Sequence, residues 1–210
     1  MGDLIHLDKR RSRRTATAVA FFFDVACPLS YLAAERVERT LGAVDWVPVD
    51  RAMLDPCDDA DWAGARALRS RAESCARRSR LPLVWPEAQS AGQPWGLPGA
   101  RRARRACLFA CELGAGAAFA LAAGRLAFCG GFDLDDPETL AEAAAAAGVP
   151  LEACLEAAGE TWRDEQLDDA AELLREHGVG DLPAVQVDGR WLEGAAAVFT
   201  GVPRAGRSRR

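Results

Sequence analysis

A short, continuously apolar segment followed by a cysteine–proline pair constrains the fold of this chain more than any other feature. Residues 18–23 read Ala-Val-Ala-Phe-Phe-Phe, which is typical of a β-strand covered on both faces. Apolar and charged residues then alternate at helical spacing over residues 30–41, and Gly42 follows, so a helix is predicted there. A second strand is predicted over residues 46–49. Together these elements predict a strand-helix-strand unit of parallel sheet.

The remainder of the chain predicts a helical insertion and a hairpin. Helical periodicities dominate residues 58–162, and a further helix is predicted over residues 163–177. An Asp-Gly pair at residues 188–189 separates two short strand-like segments, which is the pattern of a two-residue hairpin turn. The order predicts an α/β fold in which one mixed sheet carries helices on its faces and a helical subdomain is inserted at about residues 58–162.

Length and charge favour a single globular domain. Half of the 210 residues are apolar, enough for one substantial core. We expect a basic, disordered segment at residues 1–17, the domain at residues 18–200, and a basic tail at residues 201–210. The net charge is -5, and the arginine-rich runs contain no interleaved aromatic residues, so no nucleic-acid partner is expected. We interpret the arginines mainly as compositional bias.

The seven cysteines lie at irregular spacings, which favours a reducing, cytoplasmic location over a disulfide framework. A signal peptide ending at a lipid-modified Cys27 is the alternative, but Asp24 interrupts the apolar segment. No segment is long enough to span a membrane, and no membrane partner is expected. Cys107 and Cys111 are one helical turn apart, and without a nearby histidine we expect core packing and no metal.

The candidate site is Cys27-Pro28-Leu29-Ser30 at the junction of the first strand and the first helix. Unpaired N–H groups and the helix dipole at this position stabilise a thiolate, so we expect a lowered pKa and a nucleophilic Cys27. The alternative is a small buried hydrophobic residue. Asp24 is either a buried carboxylate that tunes proton transfer or a strand-end cap. Tyr31, Trp85 and Trp95 either line an apolar pocket over the thiol or belong to the core.

The segment Phe23–Leu32 resembles the active-site segment of DsbA-like proteins, and more closely that of 2-hydroxychromene-2-carboxylate isomerases and kappa-class glutathione transferases. Residues 128–137 and 178–183 resemble two further segments of that family, and the resemblance spans residues 18–194. It implies a thioredoxin-like fold of the DsbA type with the helical insertion described above.

The resemblance also implies the rest of the site. In that family the proline matching Pro183 is cis and faces the residue matching Cys27, and the backbone at Leu182 pairs with a bound thiol or peptide as an added strand would. Pro28 belongs to the same thiol-binding site. An ordinary trans proline at the start of an edge strand is the alternative for Pro183.

The chain departs from the family's pattern at positions that limit the reactions it can carry out. The glutathione-using relatives carry serine at the position of Cys27, whereas dithiol oxidoreductases carry a second cysteine where this chain has Ser30. Cys27 therefore lacks a resolving thiol in its motif, and one-thiol chemistry remains. The family's acidic residue for the γ-glutamyl end of glutathione is replaced by the alanines at residues 195–197. The expected cofactor is a low-molecular-weight thiol, and because this acidic residue is missing, it is either glutathione or another such thiol.

The resulting expectation is a thiol-dependent oxidoreductase, or an isomerase of the hydroxychromene-carboxylate or glutathione-transferase type. Cys27 is its nucleophile or the stabiliser of a cofactor thiol, and Ser30 is a hydrogen-bond neighbour. Its partners are a small thiol and a small aromatic or hydrophobic substrate, and the sequence leaves a homodimer open. The alternatives are a catalytically degenerate member that binds a thiol or peptide, and a scaffold that binds partners through its arginine-rich helices.

Overall fold

The protein is described by a computed structural model over residues 19–54, 62–85 and 100–200. Its sheet has four strands in the order β2-β1-β3-β4. β1 pairs in parallel with β2 and antiparallel with β3, which pairs antiparallel with β4. The predicted mixed sheet with an internal first strand is confirmed. The strands are β1 (Val19–Phe23), β2 (Asp45–Pro48), β3 (Ala184–Val187) and β4 (Arg190–Glu193).

The helices follow the predicted order, and α1 begins at Pro28 because proline suits the first helical position, two residues before the apolar periodicity starts. Helices α2 to α6 come from the inserted region. The predicted terminal segments at residues 1–17 and 201–210 lie outside the described residues, as does Trp95, and the domain limits stay predictions. The helices are α1 (Pro28–Leu41), α2 (Trp62–Ser79), α3 (Arg101–Glu112), α4 (Gly116–Gly130), α5 (Pro137–Ala147), α6 (Leu151–Gly159), α7 (Arg163–Glu176) and α8 (Ala195–Thr200).

Both faces of β1 are covered, which explains its unbroken apolar sequence. Phe21 and Phe23 stack on each other at 5.5 Å between ring centroids and meet the edge of Trp46 on β2. They join the main core with α1 and the inserted helices. Phe22 points to the other face, where its ring lies 5.0 Å from that of Trp191 and where Leu174 of α7 is buried.

The hairpin between β3 and β4 has the turn that its sequence predicts. Asp188 and Gly189 both have positive φ, 49° and 75°, which is the backbone conformation of a type I′ turn. Among the described helices, none is both long enough and apolar enough to cross a membrane.

Three loops meet at one edge of the sheet. β1 and β2 are parallel, so both end there, and β3 starts there with Ala184 opposite Phe22. The N–H of Val49 donates to the carbonyl of Phe23 at 2.8 Å, which holds the segment after β2 against the end of β1. The chain leaving β1 enters α1 at this edge. Ligand sites of parallel sheets usually lie at the carboxyl ends of the strands, which is where this edge is.

Candidate active site

Cys27 is the N-cap residue of α1, directly before Pro28. Its N–H donates to the carbonyl of Asp24, and its own carbonyl accepts the N–H of Tyr31, both at 3.0 Å. These two bonds close the turn that leads from β1 into the helix. The residue is 2% exposed, so the turn holds the thiol beneath the surface.

Ser30 directs hydrogen-bond donors at the sulfur. Its backbone N–H and its hydroxyl both lower the pKa of the Cys27 thiol as hydrogen-bond donors, and its Oγ accepts the N–H of Asp24 at 3.3 Å. A hydroxyl carries a single hydrogen. Because the Asp24 N–H takes up an acceptor site of the oxygen, that hydrogen remains for the sulfur. A role of Ser30 in the reaction stays a prediction.

Burial nevertheless raises the pKa of the Cys27 thiol above its ordinary value of 9.0, and this effect exceeds the others. The charge of Asp24 raises the pKa further, whereas the guanidinium of Arg51 and the two donors of Ser30 lower it. The predicted lowering of this pKa is therefore wrong. The helix start does supply donors, but they act on a sulfur that water hardly reaches, so the thiol stays protonated near neutral pH.

Asp24 connects three parts of the site. Its carboxylate is 1% exposed. One oxygen accepts the N–H of Ala26 at 2.9 Å and Nε of Arg104 at 3.0 Å. The other accepts the N–H of Arg51 at 3.0 Å and Nη2 of Arg104 at 2.8 Å. Asp24 is thus both the cap of the turn and a buried carboxylate paired with a bidentate arginine.

A layer of alternating charges surrounds this carboxylate. Arg104 of α3 also lies 3.2 Å from Asp50, and Nε of Arg51 lies 3.6 Å from Asp181. Arg71 of α2 donates to the same Asp181 carboxylate. The layer therefore links the inserted helices to the loops that end β1 and β2 and to the loop before β3. Compositional bias alone does not describe these arginines, because each has a defined acidic partner.

The Leu182–Pro183 peptide bond is cis, as the resemblance predicts. The carbonyl of Pro183 accepts the N–H of Gly194 at 2.7 Å. Leu182 is buried, and its N–H donates to the side chain of Asp181 at 2.9 Å. The donor that the resemblance assigns to a docked thiol or peptide thus already has an internal acceptor, and the docking role of Leu182 stays a prediction.

Tyr31 and Trp85 pack against the inserted helices. Tyr31 is buried, stacks on Phe128 of α4 at 5.6 Å, and has its hydroxyl 3.1 Å from Sγ of Cys129. Nε1 of Trp85 donates to Glu73 of α2 at 3.1 Å. These contacts agree with the core alternative for Tyr31. A substrate-binding role for either residue stays a prediction.

The sequence interpretation missed Arg104, Arg51 and Asp181. One signal for them was available, because a charge such as Asp24 at the end of a fully apolar strand needs a partner when it is buried. The sequence offers 26 basic residues, and nothing in their spacing singles out Arg104, which lies eighty positions from Asp24 along the chain. Cys107 and Cys111 are in the core, as expected.

Fold and site together define a thioredoxin-type domain that carries one thiol at the start of its first helix, with a cis-proline loop at the same end of the sheet. The family model of the DSBA-like thioredoxin domain matches residues 18–202. The chain belongs to this family.

Solved structures with the same fold include several enzymes. A 2-hydroxychromene-2-carboxylate isomerase matches with a TM-score of 0.70 and 18% identity over 87% of this chain and 91% of the other. A probable DsbA oxidoreductase from Streptomyces coelicolor matches with a TM-score of 0.60 and 22% identity over 88% and 87%. The cytosolic disulfide reductase DsbM from Pseudomonas aeruginosa matches with a TM-score of 0.59 and 16% identity over 83% and 87%. At these identities the likeness concerns the fold alone. No curated protein matches the chain.

Proposed function

We propose that this protein is a thiol-dependent isomerase or transferase of the DsbA family, in which Cys27 remains protonated and hydrogen-bonds the sulfur of a bound low-molecular-weight thiol. The observation that carries the proposal is the buried Cys27 at the N-cap of α1, with a serine at the second motif position. A thiol in this setting is a weak nucleophile near neutral pH and has no motif partner for an internal disulfide. It keeps its S–H as a donor.

The chemistry follows from that hydrogen bond. A cofactor thiolate held beside Cys27 can add to an electrophilic carbon of a small unsaturated substrate. In an isomerisation it leaves again and the cofactor thiol is regenerated, whereas in a transfer the new C–S bond remains and the neighbouring carbon of the former double bond takes up the proton. Glutathione or a similar thiol, a small aromatic or hydrophobic substrate and a cytoplasmic location, where such thiols stay reduced, belong to the proposal. The isomerase named among the solved structures supports this choice of reaction.

A second candidate function is one-thiol disulfide exchange, which is favoured by Arg51 and Ser30 because both lower the pKa of Cys27. In that reaction the Cys27 thiolate attacks a disulfide R–S–S–R′, forming Cys27–S–S–R and releasing R′S⁻, which takes up a proton. A second molecule of thiol then attacks the mixed disulfide and frees Cys27. The sulfur atoms and electrons balance without a resolving cysteine in the protein.

Two substitutions at Cys27 separate these functions. Cys27→Ser keeps a hydrogen-bond donor, so we expect it to retain isomerisation of 2-hydroxychromene-2-carboxylate in the presence of glutathione. Cys27→Ala removes the donor and should lower kcat/KM about tenfold or more, the value of a hydrogen bond to a charged group. Reduction of a glutathione mixed disulfide is measured in parallel on the same variants.

Each outcome assigns a role. Loss of disulfide exchange in both variants, without isomerase activity in the unmodified protein, identifies Cys27 as a nucleophile and overturns the proposal. Equal activity of both variants overturns any role for the thiol and leaves the degenerate or scaffold alternatives. Cys75→Ala, at a buried cysteine of α2, is the matched control and should not change either reaction.

A further inference from the structure

We propose that Arg104 of α3 is a positioning residue that controls the Cys27 thiol through Asp24. The inference deepens the proposed function and rests on it, since it assigns to the inserted helical region the control of the sulfur used there. Arg104 acts on the Asp24 carboxylate, which organises the turn that carries the sulfur.

The contacts lead from α3 to the thiol in two steps. Nε and Nη2 of Arg104 donate to the two oxygens of Asp24 at 3.0 and 2.8 Å. Asp24 in turn accepts the N–H of Cys27 through its backbone carbonyl at 3.0 Å, and its own N–H donates to the Ser30 hydroxyl, which lowers the pKa of the thiol. A bidentate pair of this kind fixes the orientation of the carboxylate as well as its charge.

Polar and charged groups from several elements act on the thiol or on its direct neighbours. Ser30 belongs to α1 itself, Asp24 to the turn after β1, and Arg51 to the segment after β2. On α3, Arg104 donates a hydrogen bond to Asp24. The pKa of the buried Cys107 on the same helix is raised mainly by burial and also by the charge of that carboxylate. Asp50 and Asp181 lie behind these groups, against Arg104 and Arg51 respectively.

The sign of the effect follows from these charges. Asp24 raises the pKa of Cys27, and the guanidinium of Arg104 offsets that negative charge. Removing Arg104 leaves the carboxylate less compensated, so ionisation of the thiol becomes harder. Removing the carboxylate charge leaves the guanidinium, so ionisation becomes easier. A contact that merely supported the fold would not produce opposite signs at its two ends.

The experiment measures alkylation of Cys27 by iodoacetamide as a function of pH in the full chain, with the Cys27 peptide quantified by mass spectrometry. The amplitude reports access to the sulfur, and the midpoint reports its ionisation. We expect Arg104→Met to raise the midpoint by about one pH unit and Asp24→Asn to lower it by a similar amount. The double variant should return close to the unmodified protein, and Arg104→Lys should restore most of the midpoint.

The neighbouring Arg105 is the matched control. It is buried on the same helix and makes the same bidentate contact with Asp164, at 2.7 and 2.6 Å. Arg105→Met should lower stability, measured by circular dichroism, without moving the midpoint. Shifts of the same sign in Arg104→Met and Asp24→Asn, or no shift in either, overturn the inference.

If Arg104→Met does not fold, Asp24→Asn decides the question, because an unchanged or raised midpoint in that variant also overturns the inference. No substrate or cofactor is used in these measurements. Failure of the inference is therefore distinguishable from failure of the proposed function, which the activities of the Cys27 variants decide.

Discussion

The hydroxyl of Ser30 lies between two groups that fix its orientation. It accepts the N–H of Asp24, which leaves its single hydrogen available to the thiol, and it lowers the pKa of Cys27. In a dithiol motif this position would hold the resolving cysteine. Here the serine keeps the same place in space but can only polarise the thiol.

Replacing Ser30 by alanine should therefore raise the pKa of Cys27 and slow its alkylation at pH 8 by about three- to tenfold, the value of one hydrogen bond. The buried N–H of Asp24 also loses its acceptor, which should cost about 1–3 kcal/mol of stability. Alkylation of the Cys27 peptide across a pH series and urea denaturation check the two effects.

The control is Ser79→Ala, because the buried Ser79 hydroxyl donates to the carbonyl of Cys75 at 2.7 Å. It should lose stability with the Cys27 profile unchanged, and an unchanged profile in Ser30→Ala would contradict the prediction.

At the residue scale, the sequence predicts contacts between residues that are close in the chain and misses contacts between residues that are far apart in it. The place of Cys27 at the strand-helix junction and its contact with Ser30 follow from neighbours three positions apart. The direction of the shift in the Cys27 pKa does not follow from them, because it depends on burial in the core and on Arg51, which lies 24 positions further along the chain. The pairing of Asp24 with Arg104 likewise depends on how the inserted helices cross the end of β1.

The contact between α1 and α4 depends on a glycine. A Cβ atom at Gly124 would lie 2.9 Å from Cδ2 of Tyr31, so the two helices approach more closely than a larger residue allows. The Tyr31 ring has little room to retreat, because it stacks on Phe128 and its hydroxyl contacts Cys129. The packing of α4 thus holds the helix that has Cys27 as its N-cap residue.

Gly124→Ala should destabilise the protein. Overpacking at Tyr31 costs about 1–3 kcal/mol, and the better helix propensity of alanine returns up to about 1 kcal/mol. Gly159→Ala is the matched control, since a Cβ there meets nothing within 4 Å, and it should be neutral or slightly stabilising. Urea denaturation of the two variants measures the difference, and equal stability would show that the helices separate without cost.

Elements were more predictable than their contacts. The continuous apolar sequence of β1 and the Asp-Gly turn at residues 188–189 each have a local physical cause, and the structure has both. The close approach at Gly124 has no such signal, because a glycine within a helix pattern does not indicate which neighbour it admits. For the same reason, the sequence did not decide whether Tyr31 lines a pocket or belongs to the core.

Across the whole molecule, the inserted helices and the sheet share one core. Residues from β1, α1 and the inserted helices α2 to α6 belong to a single buried cluster. Several of the buried side chains in this core are cysteine thiols. Cys27, Cys75, Cys107 and Cys154 are buried there. The chain has only one tyrosine, so thiols dominate its titration between the histidine and arginine ranges.

This composition predicts a marked loss of stability in alkali. Burial raises the pKa of each of these four thiols above the ordinary value of 9.0. Well below pH 9 the thiols are protonated in both states, and their contribution is complete. Above it the unfolded chain releases protons that the folded chain retains, so the free energy of unfolding falls until the folded thiols also ionise. The expected slope is up to about 1.4 kcal/mol per pH unit for each thiol.

Removing two of these thiols tests the origin of the slope. The double variant Cys107→Ala/Cys154→Ala should be less stable at pH 7.5, because it leaves small cavities, yet decline less steeply between pH 9 and 10.5. Leu140→Ala removes a buried side chain from the same core without removing a titratable group, so it should lower stability with the slope intact. Urea denaturation in the presence of a reductant gives both quantities. A double variant as steep as the unmodified protein would place the alkaline sensitivity outside these thiols, since only a group that ionises more readily in the unfolded chain can generate the slope.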